Sequence, residues 1–232
     1  DASMKGELHI WPYTGRSPKL PEASRGFFLN PMNQAEASKI ALGAAAIYMN
    51  DPERYDAEVA WRTSAARVVG EASVGALEMF RDACAISPLH PDDPPRLVHI
   101  VDEAKYRVDR GALIEAAGIL SSYMLEMKAS AELLRTNPNK KLTQEIAPWL
   151  DEYMQWADIG LEIAKAVEAA GSYAESLTPA GKTSSFSMRA LSMVGARSRL
   201  ARMLQGAIGF RTRVCSDVLL RLGLEVVRRL RY

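Results

Sequence analysis

Two short segments near the N-terminus carry the residues of buried strands, and the rest of the chain offers nothing to pair with them. Glu7-Leu8-His9-Ile10-Trp11 alternates in polarity and then meets Pro12, which cannot donate to a ladder. Gly26-Phe27-Phe28-Leu29 is a run of large apolar residues, the pattern of a strand covered on both faces in a parallel sheet. Asn30 and Pro31 then open a predicted helix, since Asn is a favoured N-cap and Pro a favoured first helical residue. Ile40, Ala44, Ile47 and Tyr48 extend its apolar face down to Asn50-Asp51-Pro52. Two strands cannot close a sheet, and alone they leave apolar faces and backbone edges uncovered. The chain begins with Asp and not Met, and is expected to be a fragment whose remaining strands lie upstream.

From Asp56 onward helical spacing takes over. Helices are predicted at about 56–69, 71–87, 94–109, 112–136 and 140–176, the last broken at Gly160 or Gly171, with two more between 186 and 231. Proline-rich turns at 88–95 and 137–139 separate them, and 178–185 reads as a linker. Long helices with short connections predict a bundle that closes without help from the first fifty residues. The fold class is therefore mainly α. Residues 1–52 form one part, 53–178 a helical bundle, and 179–232 a linker with a basic amphipathic helical tail.

The apolar fraction of 48% and charged fraction of 25% fit a globular chain and exclude a disordered one. No apolar stretch reaches the length of a bilayer span, and no signal pattern opens the chain, so its compartment is left open. Eleven Lys or Arg against two acids give residues 182–232 a net charge of +9, so the total of +1 leaves −8 on residues 1–181. The basic tail could hold a nucleic acid, an anionic membrane or the acidic body of the same protein. Packing within the chain or in a homodimer through the helical region is favoured. Nucleic acid is disfavoured because from Arg197 onward Phe210 is the only aromatic residue before Tyr232.

Cys84 and Cys215 stand apart and read as buried small hydrophobes. His9, His90 and His99 share no ligand spacing, and no phosphate-binding glycine loop or nucleophile elbow occurs, so neither a metal nor a cofactor is expected. Trp149, Tyr153 and Trp156 fall on one helix face. They could form a carbohydrate platform, but the spacing is also that of a bundle seam, which is the preferred reading.

Pro12-Tyr13-Thr14-Gly15-Arg16, then Asn30-Pro31-Met32-Asn33-Gln34-Ala35-Glu36-Ala37-Ser38-Lys39-Ile40-Ala41-Leu42, then Tyr55-Asp56 and Trp61 form an ordered set. This set resembles the end of the catalytic barrel in family-84 glycoside hydrolases, the protein O-GlcNAcases and bacterial hyaluronidase-like enzymes. The helices to about residue 177 resemble that family's following helical domain more loosely. The resemblance implies the last two strands of a (β/α)8 barrel followed by an α-helical bundle, in a retaining β-N-acetylglucosaminidase acting on a protein or glycan that bears N-acetylglucosamine.

It also implies site residues. Barrel enzymes place their chemistry at the C-terminal ends of strands, where Asn30 falls. The family's Asn at this motif hydrogen-bonds sugar hydroxyls, and the other reading of Asn30 is a simple helix cap. Asp1 lies near the place of a second sugar-gripping residue, though one position off, and could equally be an inert terminus. Trp11 stands where the family usually has Gly. Its ring could narrow the pocket, stack on a sugar or, as preferred, pack against the bundle. The family's catalytic Asp pair lies on an earlier strand, upstream of this chain, so no catalytic residue is assigned and the chain alone is expected to be inactive. Asp92-Asp93 mimics that pair but sits among prolines as a solvated turn. The alternative is a non-catalytic helical module that binds a partner through its basic tail.

Overall fold

The computed structural model describes residues 6–85, 93–176 and 186–230. Asp1, Asp92 and the predicted linker at 178–185 lie outside them. Packing divides the chain into two units: Asp1–Asp92 with Ala129–Asp151 and Thr212–Val214, and Asp93–Lys128 with Glu152–Arg211 and Cys215–Tyr232. The described elements are α1 (Leu20–Ala23), α2 (Ala35–Asn50), α3 (Ala57–Val69), α4 (Val74–Ala83), α5 (Pro95–Asp109), α6 (Leu113–Arg135), α7 (Lys140–Ser176), α8 (Phe186–Ala207) and α9 (Val218–Arg229).

No strand forms among the described residues, which corrects the prediction of two barrel strands. A strand is defined by its ladder, and neither segment meets one. The two segments nevertheless differ. Leu8 and Ile10 are buried at 2% and 1% exposure, as expected of the apolar positions in the first segment, although Glu7 beside them is buried as well. Phe28, expected in a core, is 97% exposed and Leu29 is 40% exposed.

In the first unit α2 turns Ala37, Ile40, Ala44 and Tyr48 inward at three- and four-residue intervals. It begins at Ala35, not at Asn30-Pro31, with Gln34 at its cap position. The reason is local: the Ser38 hydroxyl accepts from the Met32 amide at 3.1 Å and donates to the Met32 carbonyl at 3.4 Å, folding residues 30–34 back as a turn. α3 opens as predicted, Asp56 accepting from the Val59 amide at 2.9 Å, and closes on Gly70 at φ 79°, where a side chain would be strained. Gly43 lets α2 approach α3, because a Cβ there would lie 2.6 Å from the Ser64 hydroxyl. The turn between α6 and α7 is anchored by two asparagines, of which Asn137 is buried. Asn137 donates to the Val69 carbonyl at 2.7 Å, and Asn139 donates to Glu36 and to the Val68 carbonyl, both at 3.1 Å. Residues 6–50 thus pack against later helices of the same unit.

In the second unit α5 buries Leu97, Val101 and Ala104. α7 runs unbroken past Gly160 and Gly171, where breaks were expected. Gly160 serves packing instead: a Cβ there would sit 2.2 Å from the Met124 sulfur. Gly223 on α9 likewise admits Leu204 of α8. Glu162, buried on α7, takes Arg199 at 2.7 Å and Lys165 at 3.3 Å. Arg221 pairs with Asp93, and Arg229 reaches Glu225 at 2.7 Å. Several arginines of the basic tail therefore face acids of this same unit. Trp156 and Tyr153 are buried, Trp156 lying edge-on to Phe210 at 5.1 Å, as the bundle-seam reading requires.

Candidate functional site

The site belongs to the first unit and begins with residues 6–13, which side chains from α3, α7 and the loop before α3 fasten where a ladder would otherwise do so. The Trp149 indole donates to the Gly6 carbonyl at 2.9 Å, the Trp61 indole to Ile10 at 2.6 Å, and the Tyr55 phenol to Tyr13 at 2.6 Å. Burial, with Tyr13 adding to it, pushes the Tyr55 phenol up to about 12, so it remains a donor across the physiological range. Buried carbonyls are costly when unpaired, and these three bonds hold the segment in one course.

Beside this segment lies a pocket of about 180 Å³ lined by His9, Tyr13, Leu29, Asn30, Pro31, Met32, Ser38, Ala41 and Leu42. It is smaller than the roughly 300–1,000 Å³ usual for ligand sites, as one wall of a larger cavity would be. Met32 is its floor: the side chain is buried and its sulfur accepts from the His9 amide at 3.1 Å. Tyr13 is held by its ring neighbours Phe27 and Tyr48, at 6.1 and 5.6 Å between centroids. Asn30 is exposed at the rim. The cap reading of Asn30 is removed, because α2 starts five residues later and its first amides go elsewhere. Asn30 and Pro31 line the pocket, whereas Asp1 lies outside the described residues.

Trp11 does not line this pocket. The Arg81 guanidinium lies over its ring at 4.8 Å and over the Trp61 ring at 4.3 Å, so Trp11 is tied to α4 through a shared cation.

The wall can donate to and accept from hydroxyls through a carboxamide, a phenol and an imidazole, but no carboxylate lines it. Glu7, buried in the adjoining segment, is not among the lining residues. Among the described residues three acids have displaced titration. Glu36 is lowered by its bonds to Lys39 and Asn139; for Asp93 and Glu162, burial pushes up but is outweighed by Ser216 and Arg221, and by Arg199 and Lys165. A general acid at neutral pH needs the opposite displacement. Asp93 is an ion-pair partner and is not poised as an acid. Among the described residues no cluster of His, Cys, Asp or Glu could hold a metal.

Ser38 and Tyr13 stood inside the quoted motif without an assigned role, and their signal was their position around Asn30. Glu145, whose contact with α2 is described below, gave no local signal at all.

Residues 1–82 match the family model NAGidase, beta-N-acetylglucosaminidase. The chain is similar to an O-GlcNAc hydrolase of Thermobaculum terrenum, solved as a point mutant, with a TM-score of 0.87 and 29% identity over 99% of this chain and 46% of that one. It also shares its fold with CpGH84B, at a TM-score of 0.76 and 18% identity over 97% of this chain and 37% of the other. It spans less than half the length of either. The resemblance to family-84 glycoside hydrolases therefore holds, and the chain is a helical domain related to β-N-acetylglucosaminidases.

Proposed function

We propose that the chain is the C-terminal portion of a retaining β-N-acetylglucosaminidase that removes terminal N-acetylglucosamine from proteins or glycans. Residues 1–52 would be the end of its catalytic barrel, 53–178 its helical domain, and 179–232 a linker and basic tail. The observation that carries this reading is the contrast within one segment: Phe28 stands 97% exposed, next in sequence to Leu29 of a pocket whose lining includes the buried Met32 and Ser38. An apolar run of that length, free on its outer side, suits a strand whose neighbours belong to the preceding barrel portion.

In this reading Asn30 grips sugar hydroxyls, with Asp1 as a second contact. The preceding barrel portion supplies the adjacent carboxylates, one orienting the 2-acetamido group and the other acting as general acid and then base. The pocket described above, with no carboxylate in its lining, supports a binding role and no catalytic one. The purified 232-residue chain should not hydrolyse an aryl N-acetylglucosaminide, whereas the full-length enzyme should. Robust turnover by the chain, abolished by Asp92→Asn or Asp93→Asn, would overturn the assignment.

A non-catalytic interaction role has one observation in its favour. Met188, Leu191 and Val194 are each more than half exposed along one side of α8. A homodimer formed there would be seen by light scattering of the chain and lost in Leu191→Ser/Val194→Ser. A chain that stays monomeric at all concentrations removes this reading.

A further inference from the structure

The first turn of α2 has no cap of its own. Gln34, at the cap position, makes no side-chain bond to it, although a helix start leaves four amides without intrahelical partners. Two of these amides, those of Glu36 and Ala37, donate to a single carboxylate oxygen, Glu145 Oε2, at 2.8 and 3.1 Å. Glu145 lies on α7, 109 residues along the chain. A negative charge at a helix N-terminus is well placed against the helix dipole. The next residue, Ser38, is buried and bonded to both the amide and the carbonyl of Met32, two residues after Asn30. Backbone and hydroxyl bonds thus run without interruption from Glu145 through the first turn of α2 to the Asn30–Met32 turn at the pocket rim.

We propose that Glu145 is a positioning residue: by closing the N-terminus of α2 it fixes the Asn30–Met32 turn, and so sets where the Asn30 amide meets the sugar. The last step rests on the reading of Asn30 given above. The link from Glu145 to the turn does not. Glu145 lines no part of the pocket, so its effect on substrate must pass through Asn30.

The test has two arms. In the 232-residue chain, Glu145→Ala should speed amide hydrogen exchange across residues 32–38 by roughly two- to thirtyfold, the range expected for losing a helix cap. Glu145→Gln, which keeps an acceptor oxygen, should recover most of that protection. Ser38→Ala leaves Glu145 in place and should loosen residues 31–34 while the Glu36 and Ala37 amides stay protected; it stands in if Glu145→Ala does not fold. In the full-length enzyme, Glu145→Ala should raise KM more than it lowers kcat, and the effect should vanish in an Asn30→Ala background.

Unchanged exchange in both Glu145→Ala and Ser38→Ala overturns the proposal. So does a kinetic effect of Glu145→Ala that persists undiminished without Asn30. If Asn30→Ala leaves kinetics untouched, the sugar-binding reading falls, and the exchange arm alone decides whether Glu145 holds the turn.

Discussion

Trp61, buried within α3, donates its indole N–H to the Ile10 carbonyl across 2.6 Å, in the place a neighbouring strand's amide would take. The Ile10 amide meanwhile turns back on the Leu8 carbonyl at 3.0 Å. Both polar groups of one residue are satisfied without any sheet, which is how Leu8 and Ile10 can be buried in a chain with no described strand.

That bond is testable. Trp61→Phe keeps a large ring but strands the Ile10 carbonyl, and should cost roughly 1–3 kcal/mol in urea denaturation. Tyr55→Phe, which frees the Tyr13 carbonyl, should also destabilise, by about 1 kcal/mol. A Trp61→Phe chain as stable as the parent would show that water replaces the indole freely.

Asn30 caps nothing, so its replacement should spare stability and harm substrate binding. In the full-length enzyme Asn30→Ala should lower kcat/KM by roughly five- to 150-fold, corresponding to about 1–3 kcal/mol for one lost hydrogen bond to a hydroxyl. The melting temperature should stay nearly constant. Asn30→Ser should remain impaired, since a capping residue has no cap to make there; full recovery by Ser would revive the cap explanation.

Gly43 is set by contact and not by backbone conformation. Gly43→Ala would press a methyl group against Ser64 and should destabilise by roughly 1–3 kcal/mol. The Ser64 hydroxyl makes no hydrogen bond among the described residues, so Ser64→Gly should restore much of the loss in the double variant. Equal stability of Gly43→Ala and the parent in thermal melts would mean that α2 and α3 separate at little cost.

Acid should unfold the chain partly through two carboxylates. Bonds from Lys39 and Asn139 lower Glu36, while Arg199 and Lys165 overcome the opposing effect of burial at Glu162, so both titrate below the ordinary value of 4.5 in the folded state. A carboxylate with a depressed folded pKa adds stability that is fully present above its unfolded pKa. That stability is lost as pH falls through the folded value. Melting temperatures should therefore hold from pH 7 to about 5 and fall below 4.5, with a shallower fall in Glu162→Gln. A steep loss already between pH 7 and 6 would point to other groups.

Helix positions were legible wherever a three- or four-residue apolar rhythm met an ordinary stop. α3 began at Asp56 and ended at Gly70 because a cap and a positive-φ glycine are local chemistry. The family resemblance was legible for a similar reason, since it sat in one contiguous set of residues. The start of α2 was misplaced because Ser38 drew residues 30–34 into a turn, and the continuity of α7 was missed because Gly160 answers to Met124, far away in sequence. The strands failed on the same ground: apolar alternation reports burial, and burial at Leu8 and Ile10 comes from helices. In the candidate site, Asn30 could be found from its motif. Glu145 could not, because nothing near it in sequence mentions α2.

The separation between Glu145 and the amides it receives also bears on how the protein is made. At about 5–20 residues per second, a ribosome that has finished Glu36 needs roughly 5 to 20 seconds to reach Glu145, 109 residues on. A helix forms in about a microsecond or less. For nearly the whole of that interval the nascent chain therefore holds α2 without its distant carboxylate, and with the Asn30 turn unset. The pocket rim is finished by residues translated long after it, so a truncated transcript ending before α7 should yield helices but no formed rim.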